Sequence, residues 1–204
     1  MYFSFKQLMG AFFIGLLVAA ASGAVSFLFP KQYRAESEVL IISRDRSGVD
    51  PFTQVKSAER IGENLTRVIQ TGDFMDKVFG LAGATFDRSR WERLSPRDKR
   101  RRWQRDVWGA TVYNSSLVRL SVYSTTPEDA AGLGAAVTQA LATRGWEYVG
   151  GDVAIKIVNP PLVSRFPARP NLPVNVGAGF VAGAALWGLA MSRRQRRAHL
   201  FGRK

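Results

Sequence analysis

The sequence predicts an α+β domain, with helices packed on a mixed sheet, flanked by two transmembrane helices. Two long uncharged apolar blocks near the ends supply the flanking helices. Between them, strand-like alternation interleaves with helix-start signals, which supplies the domain. The 204 residues carry a formal net charge of +13, and a middle this polar between two apolar blocks is not the pattern of a simple soluble globule.

The first block, residues 8–29, follows a short segment 1–7 that holds Lys6, and contains no charge. As a helix it rises about 33 Å, enough for a hydrocarbon core of about 30 Å. A cleaved signal peptide is the competing reading, because small residues cluster around Ala19 to Ala24. The apolar run is longer than a signal core and continues to Phe29, which favours an uncleaved anchor.

Residues 30–166 form the intervening domain. Tyr33–Ser43 alternates Glu36 and Glu38 with Ala35, Ser37, Val39 and Ile41, the pattern of a strand. Asp50-Pro51 opens a helix in which Val55, Ala58, Gly62, Leu65, Val68 and Ile69 recur at helical spacing. Thr71-Gly72-Asp73 caps a short helix through Phe79, and residues 80–90 read as a loop. Ser95-Pro96-Arg97-Asp98 starts a basic helix through Arg105. Val107–Tyr113 and Leu117–Ser124 read as strands joined at Asn114-Ser-Ser. Thr126-Pro127 starts a helix to about Tyr148, stopped by Gly150-Gly151. A last short strand, Val153–Val158, is expected to end at Asn159-Pro160-Pro161.

Pro167, Pro170 and Pro173 stand three apart across 167–173, matching the turn of an extended polyproline segment, a semi-rigid strut; a plain linker is the bland reading. The second apolar block, 174–191, is about 27 Å long as a helix. The tail 192–204 holds six bases, among them Arg193, Arg194, Arg196 and Arg197, and no acid, so the positive-inside rule places it in the cytoplasm. Two spans bring the N-terminus to the same side. The part between them carries all 16 acids and 22 bases and faces away from the cytoplasm. Small residues recur at four-residue spacing in both spans: Ala11, Gly15, Ala19 and Gly23 in one, Gly179 and Gly183 with Ala184 and Gly188 in the other. Such stripes allow close helix packing, within one chain or between chains.

Several chemistries are excluded. With no Cys there is no disulfide framework, thiolate metal site or Cys nucleophile. The single His199 lies in the tail, so the domain has no His-based triad, metal site or general base. The pairs Glu36/Glu38 and Glu128/Asp129 read as an exposed strand face and a helix start, where acids suit the dipole. No enzyme activity and no cofactor are expected. The basic helix, with Arg97, Lys99, Arg100, Arg101, Arg102 and Arg105, is a candidate contact for a polyanion, either glycan or lipid, against the alternative of a solvated face. Nucleic acid is not expected, because the topology puts this helix outside.

Taken together, the first span closing at Pro30 and Tyr33, the Ser57–Leu65 helix, the Thr126–Ala130 helix start and the proline-rich approach to a Gly-rich second span resemble the polysaccharide co-polymerase family, the Wzz-type chain-length determinants. Pro167, Pro170 and Pro173 match the family's proline run, and Gly177, Gly179 and Gly183 its glycines. A Ser-Pro-Lys step common there is replaced by Leu172-Pro173-Val174. No pattern is long enough for the family's helical extension, so the chain resembles a minimal base domain. The tail has no phosphate loop and no Tyr cluster, so it resembles the short form without a kinase domain. The resemblance implies a non-enzymatic inner-membrane protein of a bacterium that regulates chain length or export of O-antigen, capsule or exopolysaccharide. It implies a homo-oligomer working with a polymerase or export machinery, the growing glycan, membrane lipids and, where one exists, a separate tyrosine kinase. The alternative is a two-span sensor or adaptor that signals through a partner.

Overall fold

The computed structural model describes residues 5–43, 51–150 and 153–201. They fall into two units: a helix pair from Met1–Lys31 with Arg169–Lys204, and a domain from Gln32–Ala168.

The domain is built on β1 (Tyr33–Ser43), β2 (Val107–Thr111), β3 (Leu117–Ser124) and β4 (Val153–Val163), in the order β2-β3-β1-β4. Every bonded pair is antiparallel, which corrects the expected mixed sheet. The reason is topological. The helices after β1 return the chain to the end where β1 began, so β2 runs in the same direction as β1, and β4 likewise follows β3. Each crossover skips one strand, however, so equal directions never become neighbours.

β4 is also longer than its sequence suggests. It runs through Asn159-Pro160-Pro161 to Val163, where the expected strand stopped at Val158. Because β4 is an edge strand, prolines without N–H groups are tolerated there. They are accommodated by register irregularities between Glu36 and Glu38 and between Glu38 and Val39.

Local signals set the helices. In α2 (Pro51–Val68), Ala58 and Leu65 turn inward, while the Asp50 cap lies outside the described residues. Thr71 caps α3 (Gly72–Phe79), its Oγ1 accepting from Phe74 N–H at 3.3 Å. The stretch expected as a loop, 80–90, ends in the start of one helical turn, α4 (Ser89–Glu92), held by the buried Trp91. Ser95 caps α5 (Pro96–Asp106) and Thr126 caps α6 (Pro127–Arg144), which ends in a 3₁₀ turn, Gly145–Tyr148.

The core lies between one sheet face and the helices. Val39, Ile41, Leu120 and Val122 meet Leu65, Ile69, Leu133 and Leu141, while Phe79, Phe86, Trp91 and Trp103 form an aromatic group at its flank. The fully buried Trp103 donates its indole N–H to the Ile69 carbonyl at 2.7 Å. Helix α6 lies close on the sheet because it presents small residues: a Cβ on Gly134 would stand 3.0 Å from that of Ala35. The buried Ser37 and Thr138 hydroxyls hydrogen-bond across this contact at 2.7 Å.

The helix pair consists of α1 (Phe5–Ser26) and α7 (Leu172–Phe201). Residues 27–29, expected within the first span, form turns instead. The stretches Leu8–Ser26 and Leu172–Arg193 are long and apolar enough to cross a membrane. Small residues set the contact, since a Cβ on Gly183 would meet the Ile14 carbonyl at 2.8 Å and one on Gly179 the Ser22 Cβ at 2.9 Å. Ser22 Oγ donates to the Asn175 carbonyl and Asn175 Nδ2 to Ser26 Oγ, each at 2.9 Å.

Candidate functional site

The sheet has a second face, and it is where polar groups gather. Alternation puts Ala35, Ser37, Val39 and Ile41 into the core and turns Glu36, Glu38 and Ile42 away from it. On β3 and β2 the same rule turns out Arg119 and the half-exposed Trp108. Register then sets Glu38 opposite Arg119 on one side and Asn159 on the other. Arg119 donates from Nε and Nη2 to Glu38 Oε1 at 3.0 and 2.9 Å, and Asn159 Nδ2 donates to Oε2 at 2.8 Å. The Arg119 bonds first, and the Asn159 bond second, hold the Glu38 carboxyl below its usual range. Arg34 and Glu36 pair beside them at 3.2 Å. Both carboxylates are thus engaged, and neither Glu36 nor Glu38 stands as a free acid or base.

The basic helix divides in two. Arg102 and Arg105 pair with the buried Asp106 at 3.3 and 3.0 Å, and Arg102 also lies over the Trp91 ring. Arg97, Lys99, Arg100 and Arg101 make no ion pair among the described residues; three of these side chains are exposed and Lys99 is half-buried. Trp103 fixes which face of α5 turns inward, and thereby aims these charges outward.

The proline and glycine positions divide as well. The Ala168 N–H donates to the Gln32 carbonyl at 2.8 Å, which ties the segment after Pro167 to the start of β1. The Arg169-Pro170 bond is cis, and Pro173 stands in the first turn of α7, so helix replaces the end of the expected 167–173 strut. Gly179 and Gly183 are consumed in the contact with α1, whereas a side chain on Gly177 would meet open space. Arg193, Arg194, Arg196 and Arg197 stand on the last turns of α7, which continues through the tail to Phe201.

Two networks escaped the sequence reading. Arg90 Nη1 donates to both Asp129 Oδ2 and Ser124 Oγ at 2.8 Å, while Asp129 also accepts the Asp87 N–H at 2.7 Å and hydrogen-bonds Ser124. Lys77 pairs with Glu147, raising the lysine and lowering the carboxyl. Beside them Tyr148 hydrogen-bonds Asp73, and burial first, then that bond, raises the phenol. Apart from Ser124 and Asp129, their partners are tens of residues apart, and no local signal links them. Among the described residues no three His, Cys, Asp or Glu side chains group to hold a metal ion. Comparison with protein-family models and with curated proteins gives no match to this chain.

Proposed function

We propose that the protein is a non-enzymatic scaffold of the bacterial inner membrane, a polysaccharide co-polymerase that regulates chain length or export of a surface polysaccharide. The observation that carries this reading is the closure of the α+β domain on its own ends. Gln32 and Ala168 are hydrogen-bonded, and each leads within a few residues to one of two membrane-length helices packed together through Gly179 and Gly183. A domain inserted in this way into a two-helix hairpin, with the carboxylates of its open sheet face engaged by Arg and Asn, suits holding and presenting other molecules. The order of these parts is also the order that underlies the family resemblance.

In this reading both termini are cytoplasmic, because six bases and no acid follow Met191. Residues 30–173 face outward as copies of a homo-oligomer, keeping polymerase or growing glycan near the membrane. The test is deletion of the gene in its own host, followed by sizing of lipopolysaccharide, capsule and secreted glycan. A changed modal length or amount of one of them is expected. Unchanged length and amount of all three would overturn the assignment in favour of a two-span sensor.

A further inference from the structure

Register places several separate features at one end of the domain. Val107 pairs with Val122, Val122 with Ala35, and Ala35 with Val163. The start of β1, the end of β4 and the start of β2 therefore share one edge of the sheet. Helix α5 ends at Asp106, immediately before Val107, so it reaches the domain at this same edge. Its middle is fixed there too: Trp103 bonds the Ile69 carbonyl at the end of α2, and the Arg100 guanidinium lies 3.8 Å from where a Cβ would stand on Gly72.

This is also the end where the chain leaves the domain. Gln32 follows α1 by only a few residues, and Ala168 precedes α7 by fewer. At about 3.5 Å per extended residue, such tethers hold this end near any bilayer that the helices span. Arg97, Arg100 and Arg101 project from it without ion-pair partners among the described residues. Beside the exit of β4, Leu162 is 79% and Phe166 73% exposed, and Arg165 lies over the Phe166 ring. Arginines on the β2 side of this end, with exposed apolar side chains and Arg165 on its β4 side, match the headgroup zone of a membrane, with phosphates for the charges and acyl carbons for Leu162 and Phe166. A soluble acidic glycan would satisfy the arginines alone.

We propose that α5 and the Leu162–Phe166 rim form a foot by which the domain stands on an anionic lipid surface. The proposal rests on the two helices spanning a bilayer, and not on the polysaccharide part of the reading above. Neutralising one arginine should weaken the footed state about fivefold, the effect of one basic residue near an anionic surface.

The test uses the full chain in lipid nanodiscs, exploiting the lack of native Cys. A nitroxide at Gln104→Cys on α5, and one at Ser116→Cys at the far end of the sheet, are read against a nickel-chelating lipid headgroup. With phosphatidylglycerol present, nickel should relax the position-104 label strongly and the position-116 label weakly. The effect should fade in phosphatidylcholine alone, at high salt, and in the R97Q/R100Q/R101Q variant, while R97K/R100K/R101K retains it. Equal relaxation at both positions, or relaxation at 104 indifferent to lipid charge and to the arginines, would overturn the foot. So would release of the position-104 label from the headgroups by a soluble acidic polysaccharide such as alginate at constant ionic strength. Failure of the chain to co-purify with the discs would instead refute the spanning helices on which both proposals stand.

Discussion

Glu38 shows how one residue's setting is made by strands that are distant in sequence. Its lowered pKa means that the folded state binds the carboxylate form more favourably than the unfolded chain does. That contribution is complete above the ordinary value of 4.5 and is lost as pH falls through the lower, folded value. Arg119→Gln should raise the Glu38 pKa towards the ordinary value, because Asn159 then remains as the main stabiliser; a carboxyl-detected NMR titration reads this directly. The pair is solvent-screened, so the accompanying loss of stability at neutral pH should be below about 1 kcal/mol. That Glu38 faces away from the core was legible in the alternation from Tyr33 to Ser43, since a strand's faces follow from local geometry alone. Its partnership with Arg119 was not, because it depends on which strand lies beside β1 and in what register. The same limit hid Asp129 behind its reading as a helix-start acid: the dipole argument is local, whereas Arg90 comes from another element.

At the scale of elements, the caps were the most legible features. Thr71, Ser95 and Thr126 each act within three residues of their own helix start, so their bonds are written in the sequence. Pro160 and Pro161 misled for a complementary reason. Proline ends a central strand but is tolerated on an edge, and edge or centre is decided by the whole sheet. The small-residue stripes were visible without their partner, which proves to be α1 for Gly179 and Gly183. Gly183→Leu should therefore force α1 and α7 apart and cost about 1–3 kcal/mol, since the atoms it meets include backbone. Gly177→Leu, with open space before it, should leave the pair intact. Thermal unfolding of both variants in mild detergent separates them, and equal destabilisation would mean that the stripe is not the contact.

For the whole molecule, the core residues and their hydrogen-bonded ends all lie within Gln32–Ala168. A chain of residues 32–168 should accordingly fold without the helices and unfold in one cooperative transition in urea, followed by circular dichroism and by tryptophan fluorescence together. Non-coincident transitions would show that the helices complete the core. Element order and type were legible in the sequence because each element carries its own periodicity, but the all-antiparallel pairing arose from crossovers that skip a strand, a property of the assembled sheet. The placement of the domain's two ends at β1 and β4 has a mechanical consequence. These two strands are antiparallel neighbours whose free ends leave from the same edge, so a load that parts them meets the ladder bonds one after another instead of all at once. The irregular stretch opposite Ser37, where Pro160 and Pro161 supply no N–H, comes early in that sequence. Since β1 is also stitched to β3 while β4 has a single neighbour, lateral parting of the two helices would peel β4 away like a tear strip and leave the rest of the sheet in place.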